Sequence, residues 1–251
     1  MKKQIPNIIT LCNLACGVMA TYNATFGRFE YAALFILLGI FFDFFDGLAA
    51  RLLKVPSELG RELDSLADLV TSGVAPGFIF FSILWNHSSS ILIKYAAFLI
   101  PIFAAYRLAK FNLDKRQLHS FRGLPAPANA LLWVGIGLWF CDYNFGFEII
   151  PAWHNDEQWM SLYQLAFSDQ GYLILVVLSL LTNILLVSEI PMFSLKFNFS
   201  DLSWRTNWVQ YIFIIVTIGV IAAFGVVTLP VVVLWYIIWS LCTLKKGGAH
   251  E

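Results

Sequence analysis

The sequence predicts an all-α membrane protein, a polytopic helical bundle with about eight transmembrane helices and both termini in the cytoplasm. Of the 251 residues, 59% are hydrophobic and only 13% are charged, and the mean hydropathy is +0.73. Soluble domains contain fewer apolar and many more charged residues. Apolar segments recur along the chain, each near the ~20 residues that a helix needs to cross a bilayer. Lysine and arginine are also distributed unevenly between the connecting loops.

The predicted spans follow from the length of each apolar segment. They lie at roughly 8–26, 31–53, 58–85, 92–113, 127–150, 171–188, 208–225 and 228–244. The apolar run that follows Met-Lys-Lys and enters the first span could be mistaken for a signal peptide. Polar residues at Asn7, Thr10 and Asn13 interrupt it, so we expect a retained first helix.

The positive residues predict the orientation. If the N-terminus lies in the cytoplasm, the loops on that side contain all 16 lysines and arginines except Arg28 and Lys94. This bias favours an even number of spans with both termini inside. We expect a single transmembrane domain over 1–251, with a catalytic core in 1–150 and an extra-cytoplasmic loop and C-terminal scaffold helices in 151–251. The formal net charge of zero indicates no particular partner, and we expect no nucleic acid to bind.

Four aspartates interrupt the second and third apolar segments. Asp43 and Asp46 are three residues apart, and Asp64 and Asp68 are four apart, so each pair shares one face of a helix. Pro56 lies between the pairs and cannot continue the first helix. A hairpin folded there brings both pairs to a similar depth, roughly 14–19 Å from the turn at ~1.5 Å per residue.

Carboxylates at that depth must be neutralised by protons or cations, because an apolar surrounding does not solvate charge. An all-oxygen set of ligands suits Mg²⁺ or Mn²⁺, and four carboxylates can hold two ions, as in phosphoryl transfer. We therefore expect two divalent cations. The predicted metal ligands are Asp43, Asp46, Asp64 and Asp68.

The spacing D-x2-D-G-x2-A-R-x8-G-x3-D-x3-D resembles the signature of the CDP-alcohol phosphotransferase family. The matching positions are Asp43, Asp46, Gly47, Ala50, Arg51, Gly60, Asp64 and Asp68. The resemblance implies a polytopic enzyme that transfers a phosphate-linked group from a CDP-activated donor to an alcohol. It also implies that Asp43 and Asp64 bridge both ions, and that Asp68 is a metal ligand and the general base.

Residues at the cytoplasmic ends of the first three helices are expected to bind the donor, CDP-diacylglycerol. Asn7 and Thr10 match an Asn-x2-Thr element that contacts the nucleotide in the family, although plain helix capping is an alternative. Ser57 matches a position that contacts the lipid's phosphates in some members, and it is also a good N-cap. The predicted set is Asn7, Thr10, Asp46, Gly47, Ala50, Arg51, Ser57 and Gly60.

Three of these residues have alternative interpretations. Gly47 and Ala50 are small, so they permit close approach either of a bulky ligand or of another helix. Arg51 is placed to bind a diphosphate, or it serves as a positive anchor on the cytoplasmic side.

Three further stretches, at 64–76, 106–112 and 121–130, resemble the phosphatidylserine synthase branch of the family. Serine carries a carboxylate, and arginine is its natural bidentate partner. We therefore expect Arg107 and Arg122 to bind serine. The alternatives are positive-inside charge at Arg107 and a rigid loop around Arg122. Glycine and proline at 73–77 predict a kink in the third helix.

The predicted reaction is metal-dependent transfer of the phosphatidyl group from CDP-diacylglycerol to L-serine, with release of CMP. The same chemistry with glycerol 3-phosphate, inositol phosphate or another alcohol is one alternative. An ion-coupled transporter and an inactive scaffold are alternatives of other classes. We expect a homodimer in a prokaryotic inner membrane, with the active site facing the cytoplasm.

Overall fold

The computed structural model describes residues 4–87, 90–113, 122–140, 169–192 and 204–247. The helices are α1 (Gln4–Thr25), α2 (Phe29–Leu52), α3 (Glu58–Asp68), α4 (Ala75–His87), α5 (Ile91–Tyr95), α6 (Leu99–Leu113), α7 (Ala126–Trp139), α8 (Asp169–Val187), α9 (Trp204–Phe224) and α10 (Leu229–Gly247). A π-helical turn, Leu69–Val74, joins α3 to α4 without a break. Short 3₁₀ turns, Ala96–Phe98 and Val226–Thr228, precede α6 and α10. The predicted all-α class is confirmed for these residues.

Within the described residues, four continuous helical runs are long and apolar enough to cross a membrane, and they match the first four predicted segments. They are Gln4–Thr25, Phe29–Leu52, Glu58–Trp85 and Ile91–Leu113. Shorter apolar helices coincide with the other four segments, at Ala126–Trp139, Gly171–Val187, Gln210–Phe224 and Val226–Leu241. Residues 141–150 of the predicted fifth segment lie outside the described residues. The chain is therefore an integral membrane protein, while the count of eight spans and the orientation stay predictions.

The turn between α2 and α3 forms where the sequence places it. The helix ends at Leu52, and Lys54 adopts a positive φ of 54° just before Pro56. The Ser57 side chain then accepts a hydrogen bond of 3.0 Å from the backbone N–H of Gly60. The predicted N-cap is thus confirmed, and it begins α3 at the point where the two aspartate pairs must face each other.

The apolar core lies where α4 and α7 cross. Phe80 and Trp133 are both fully buried and stack with their ring centroids 4.1 Å apart. Gly137 allows the helices to approach closely, because a Cβ there would lie 2.7 Å from Ile79 Cγ2. Helix α7 also packs against α2 and α10. This core lies beyond the π-helical turn and leaves α3 free to face α1, α2 and α6.

The π-helical turn Leu69–Val74 lies where glycine and proline predict a kink in the third helix. A π-helical turn contains one more residue than an α-helical turn. The side chains of α4 are therefore rotated about the helix axis relative to those of α3. Helix α6 packs tightly here, because a Cβ at Gly73 would lie 2.9 Å from Ala104 Cβ. The same turn directs Thr71 into the bundle, where it is 1% exposed.

Candidate active site

Three of the four predicted metal ligands converge. One carboxylate oxygen from each of Asp43, Asp64 and Asp68 lies within 4.8 Å of the other two, and all three residues are half-buried. Asp64 Oδ1 is buried and has no hydrogen-bond partner among the described residues. A buried acceptor of this kind, beside two further carboxylates, requires a proton or a cation. The donor set therefore fits a hard divalent ion.

Asp46 lies outside this group of three. It is 6% exposed, and its Oδ2 accepts a hydrogen bond of 2.5 Å from the hydroxyl of Thr10, which is 2% exposed. This contact ties the C-terminal half of α2 to the start of α1. The sequence pattern predicted Thr10 as a nucleotide contact or a helix cap and missed its bond to Asp46.

Two buried residues that the sequence analysis did not assign hold Asp68. Asn13 Nδ2 donates to Asp68 Oδ1 at 3.1 Å, and the Thr71 hydroxyl donates to Asn13 Oδ1 at 2.7 Å. A Cβ at Gly17 or Gly39 would overlap the Thr71 side chain, so both glycines make room for it. Asn13 is fully buried, and the available signal in the sequence was its place as a third polar residue after Asn7 and Thr10 in an apolar run. The result is a hydrogen-bonded chain that orients one carboxylate of the cluster.

Three predicted donor-binding residues meet at the end of the hairpin. Asn7 is half-buried near the start of α1, and Ser57 and Gly60 begin α3. A Cβ at Gly60 would lie 3.0 Å from Ser57 Oγ and 3.2 Å from Asn7 Oδ1. The absence of a side chain at Gly60 therefore lets these polar groups approach one another at the mouth of the site.

The face of α2 beside the aspartates is open. Among the described residues, a Cβ at Gly47 would meet only Arg51 Nη2, at 3.8 Å. The Arg51 side chain is exposed and folds back along its own helix, with Nε donating to the Gly47 carbonyl at 3.0 Å. Ala50 is half-buried on the next turn. No described helix packs on Gly47, so this geometry favours ligand access over helix packing there.

The two arginines predicted to bind serine line one small cavity. Arg107 on α6 is 8% exposed, with its guanidinium 5.8 Å from the Phe111 ring centroid, and it interacts electrostatically with Asp68. Arg122 lies just before α7 and forms an isolated antiparallel bridge with Pro191. The full lining is Arg107, Lys110, Phe111, Arg122, Leu186, Val187, Ser188 and Glu189. Glu189 was not predicted, because nothing in the local pattern connects the end of α8 with the arginines.

A further contact brings α6 to the aspartate hairpin. Asn112 Nδ2 donates to Ser65 Oγ at 2.8 Å, immediately beside Asp64. Together with the electrostatic interaction between Arg107 and Asp68, this bond joins α6, which lines the cavity, to the aspartate hairpin.

Comparison with known proteins identifies the family of this chain. A sequence profile described as CDP-alcohol phosphatidyltransferase matches residues 3–167. The CDP-diacylglycerol–serine O-phosphatidyltransferase of Bacillus subtilis (strain 168) is 44% identical over 123 residues, which cover 49% of this chain and 69% of that protein. The protein of the same name from Helicobacter pylori (strain J99) is 36% identical over 142 residues, covering 56% of this chain and 60% of that protein.

A relative of the same name from Mycobacterium tuberculosis (strain CDC 1551) aligns along most of this chain. It is 30% identical over 239 residues, covering 93% of this chain and 74% of that protein. The profile match includes the aspartate hairpin and both predicted serine-binding arginines. The family predicted from the aspartate spacing is thus confirmed. The chain is a transferase that belongs to the CDP-alcohol phosphatidyltransferase family.

Proposed function

We propose that this protein is a phosphatidylserine synthase, which transfers the phosphatidyl group of CDP-diacylglycerol to the hydroxyl of L-serine and releases CMP. The convergence of Asp43, Asp64 and Asp68 within 4.8 Å carries this proposal. The three relatives described above are each named for this reaction. The cavity that Arg107 and Arg122 share supports serine as the acceptor.

The carboxylate cluster is proposed to hold two divalent cations, Mg²⁺ or Mn²⁺. The orphaned Asp64 Oδ1 supports this assignment. Bound there, the ions would neutralise the donor's diphosphate and stabilise the charge that develops on CMP. The proposed ligands are Asp43, Asp46, Asp64 and Asp68.

Asp68 is proposed to act as the general base. Its Oδ1 is held by Asn13, which leaves the other oxygen to accept the proton from the serine hydroxyl. The serine oxygen then attacks the lipid-linked phosphorus, the bond between that phosphorus and the CMP oxygen breaks, and CMP leaves. One displacement is enough, because no described cysteine or histidine lies at the cluster, and the Ser65 hydroxyl donates to the Arg61 carbonyl and accepts from Asn112.

The donor is proposed to lie along the open face of α2, with its acyl chains in the bilayer. Asn7, Ser57 and Gly60 would bind the nucleotide and phosphates at the mouth of the hairpin, and Gly47 with Ala50 leaves room beside the aspartates. The start of a helix at Ser57 favours an anionic group there. Thr10 and Asp46, which bond to each other, would form the floor of this subsite.

The distribution of positive residues supports a site that opens toward the cytoplasm. We propose that the protein is a homodimer in a prokaryotic inner membrane. Mass measurement of the protein in lipid nanodiscs tests the dimer, and cysteine accessibility at the Lys54–Ser57 turn tests the orientation.

The proposed function is tested with purified protein, CDP-diacylglycerol and Mn²⁺. L-serine, glycerol 3-phosphate and inositol phosphate are supplied separately, and CMP and the lipid products are resolved by mass. We expect phosphatidylserine with serine and no comparable product with either phosphorylated alcohol. If CMP is released with another acceptor and not with serine, that acceptor replaces serine in the proposal. Ion flux into liposomes without CMP release would contradict the proposed reaction.

A further inference from the structure

Glu189 is the acidic residue among those that line the cavity shared by Arg107 and Arg122. Its two oxygens contact two of the three cations that line the cavity. Oε1 lies 3.2 Å from Lys110 Nζ, and Oε2 lies 3.6 Å from Arg122 Nη1. The third cation, Arg107, is nearly buried and borders the same space.

The backbone around Glu189 is held firmly in place. Gly123 N donates to the Ile190 carbonyl at 2.9 Å, and Leu124 N donates to the Leu185 carbonyl at 3.0 Å. Gly123 has a φ of +74°, and a Cβ there would lie 2.7 Å from the Leu186 carbonyl, so only glycine fits. The end of α8 is therefore joined to the residues before α7, which fixes Glu189 opposite Arg122.

The charges of this cavity complement a zwitterion. A free amino acid presents a carboxylate, which suits a guanidinium, and an ammonium, which suits a carboxylate. The lining provides both within one small space, and Arg107 connects that space electrostatically to Asp68. An acceptor that is only anionic would gain nothing from Glu189 and would be repelled by it.

We propose that Glu189 binds the α-ammonium group of the acceptor and so selects an amino acid over a phosphorylated or purely acidic alcohol. Arg122 and Arg107 bind the acceptor's carboxylate in the same cavity. This inference rests on the proposed function, since it assigns the specificity of the acceptor subsite. Glu189 exchanges part of its contact with Lys110 and Arg122 for the incoming ammonium.

The test uses two partial analogues of serine as competitive inhibitors of CMP release. Ethanolamine keeps the ammonium and lacks the carboxylate, whereas L-glycerate keeps the carboxylate and has a hydroxyl in place of the ammonium, with the configuration of L-serine. Glu189→Gln should raise the KM for L-serine and the Ki for ethanolamine about tenfold or more, since hydrogen bonds to charged groups are strong. The Ki for L-glycerate should stay the same or fall.

Arg122→Gln is the matched variant and should give the opposite pattern, with weaker binding of serine and L-glycerate and unchanged binding of ethanolamine. The KM for CDP-diacylglycerol should not change in either variant. If Glu189→Gln weakens the binding of all three ligands equally, Glu189 only stabilises the local structure and the inference is wrong. It is also wrong if the variant leaves serine and ethanolamine unaffected.

Failure of the proposed function would look different. In that case the wild-type protein itself would release no CMP with L-serine, whatever occupies position 189. Wild-type turnover with serine that Glu189→Gln leaves unchanged would overturn this inference alone.

Discussion

The two halves of the helical run Glu58–Trp85 differ in how they are held. In α3, Ala67 is the one fully buried residue, and Asp64 is half-buried beside two other carboxylates. In α4, by contrast, Ile79, Phe80 and Leu84 are fully buried against the rest of the bundle. The α3 half is organised by hydrogen bonds and like charges, and the α4 half by close packing.

This difference indicates that the two halves of one continuous helix have different roles, one in the candidate site and one in the stability of the fold. Clustered carboxylates repel one another and destabilise the protein when no cation is bound. The α3 half, called the site half, is therefore stabilised when a cation binds. The α4 half, called the packed half, contributes the stability that offsets the repulsion between the carboxylates. Substitutions in the two halves should therefore act on different measurements, and the π-helical turn Leu69–Val74 should mark the boundary.

Removal of divalent ions should have the largest effect, and only on the site half. EDTA should reduce CMP release to background, because three converging carboxylates cannot organise a diphosphate without cations. Mg²⁺ or Mn²⁺ should restore activity, and the helical circular dichroism signal should be unchanged throughout. Turnover that survives complete chelation would contradict the role given to the aspartates.

Asp68→Asn should lower kcat by about 10²- to 10⁴-fold, because it removes the general base and one ligand. The variant should still insert and unfold at the wild-type temperature or above, since a like charge is lost from the cluster. Glu62→Gln is the matched control on α3, where Glu62 is exposed and pairs with Arg61 at 3.4 Å. Near-normal turnover by Asp68→Asn would refute the base assignment.

Leu84→Ala should act on the packed half and lower stability by about 2–5 kcal/mol, because it leaves a cavity in the core. Thermal unfolding in detergent measures this loss, while the activity per folded molecule should persist. The same change at Leu92, which is 81% exposed, should stay within about 0.5 kcal/mol. Equal losses of stability at Leu84 and Leu92 would contradict the role of close packing in α4.

Thr71→Val tests the boundary itself. The change keeps the shape of the side chain but deletes the hydroxyl that bonds to Asn13 at 2.7 Å. We expect kcat to fall about tenfold, since Asn13 then holds Asp68 less firmly, with little change in the KM for CDP-diacylglycerol. Thr21→Val is the control, because the Thr21 hydroxyl bonds to the backbone carbonyl of Gly17 within its own helix. A similar loss in both variants would mean that the chain to Asp68 has no role.

Ser57→Ala should have the smallest effect, about 1 kcal/mol of stability, because it removes the N-cap of α3. Ser57→Asn should restore the cap and the unfolding temperature. If Ser57 also binds the donor's phosphates, the alanine variant should raise the KM for CDP-diacylglycerol beyond what the lost cap explains. An unchanged KM in both variants would leave Ser57 as a cap alone.

The amino-acid sequence by itself determined the apolar helices, the turn between α2 and α3, and the pairing of the aspartates on each helix. Apolar length predicts the spans, Pro56 and Ser57 predict the turn, and the spacing of the aspartates predicts which of them share a face. These are local properties, set within a few residues by backbone sterics, capping and helical period.

Only the tertiary structure decided which side chains meet. Spacing on one helix defines an angle about its axis, but the crossing of helices and the additional residue of the π-helical turn decide what lies opposite. For that reason Asp43 joins Asp64 and Asp68, while Asp46 turns to Thr10. Glu189 reaches Arg122 for the same reason, because a contact between distant segments depends on packing that no local pattern contains.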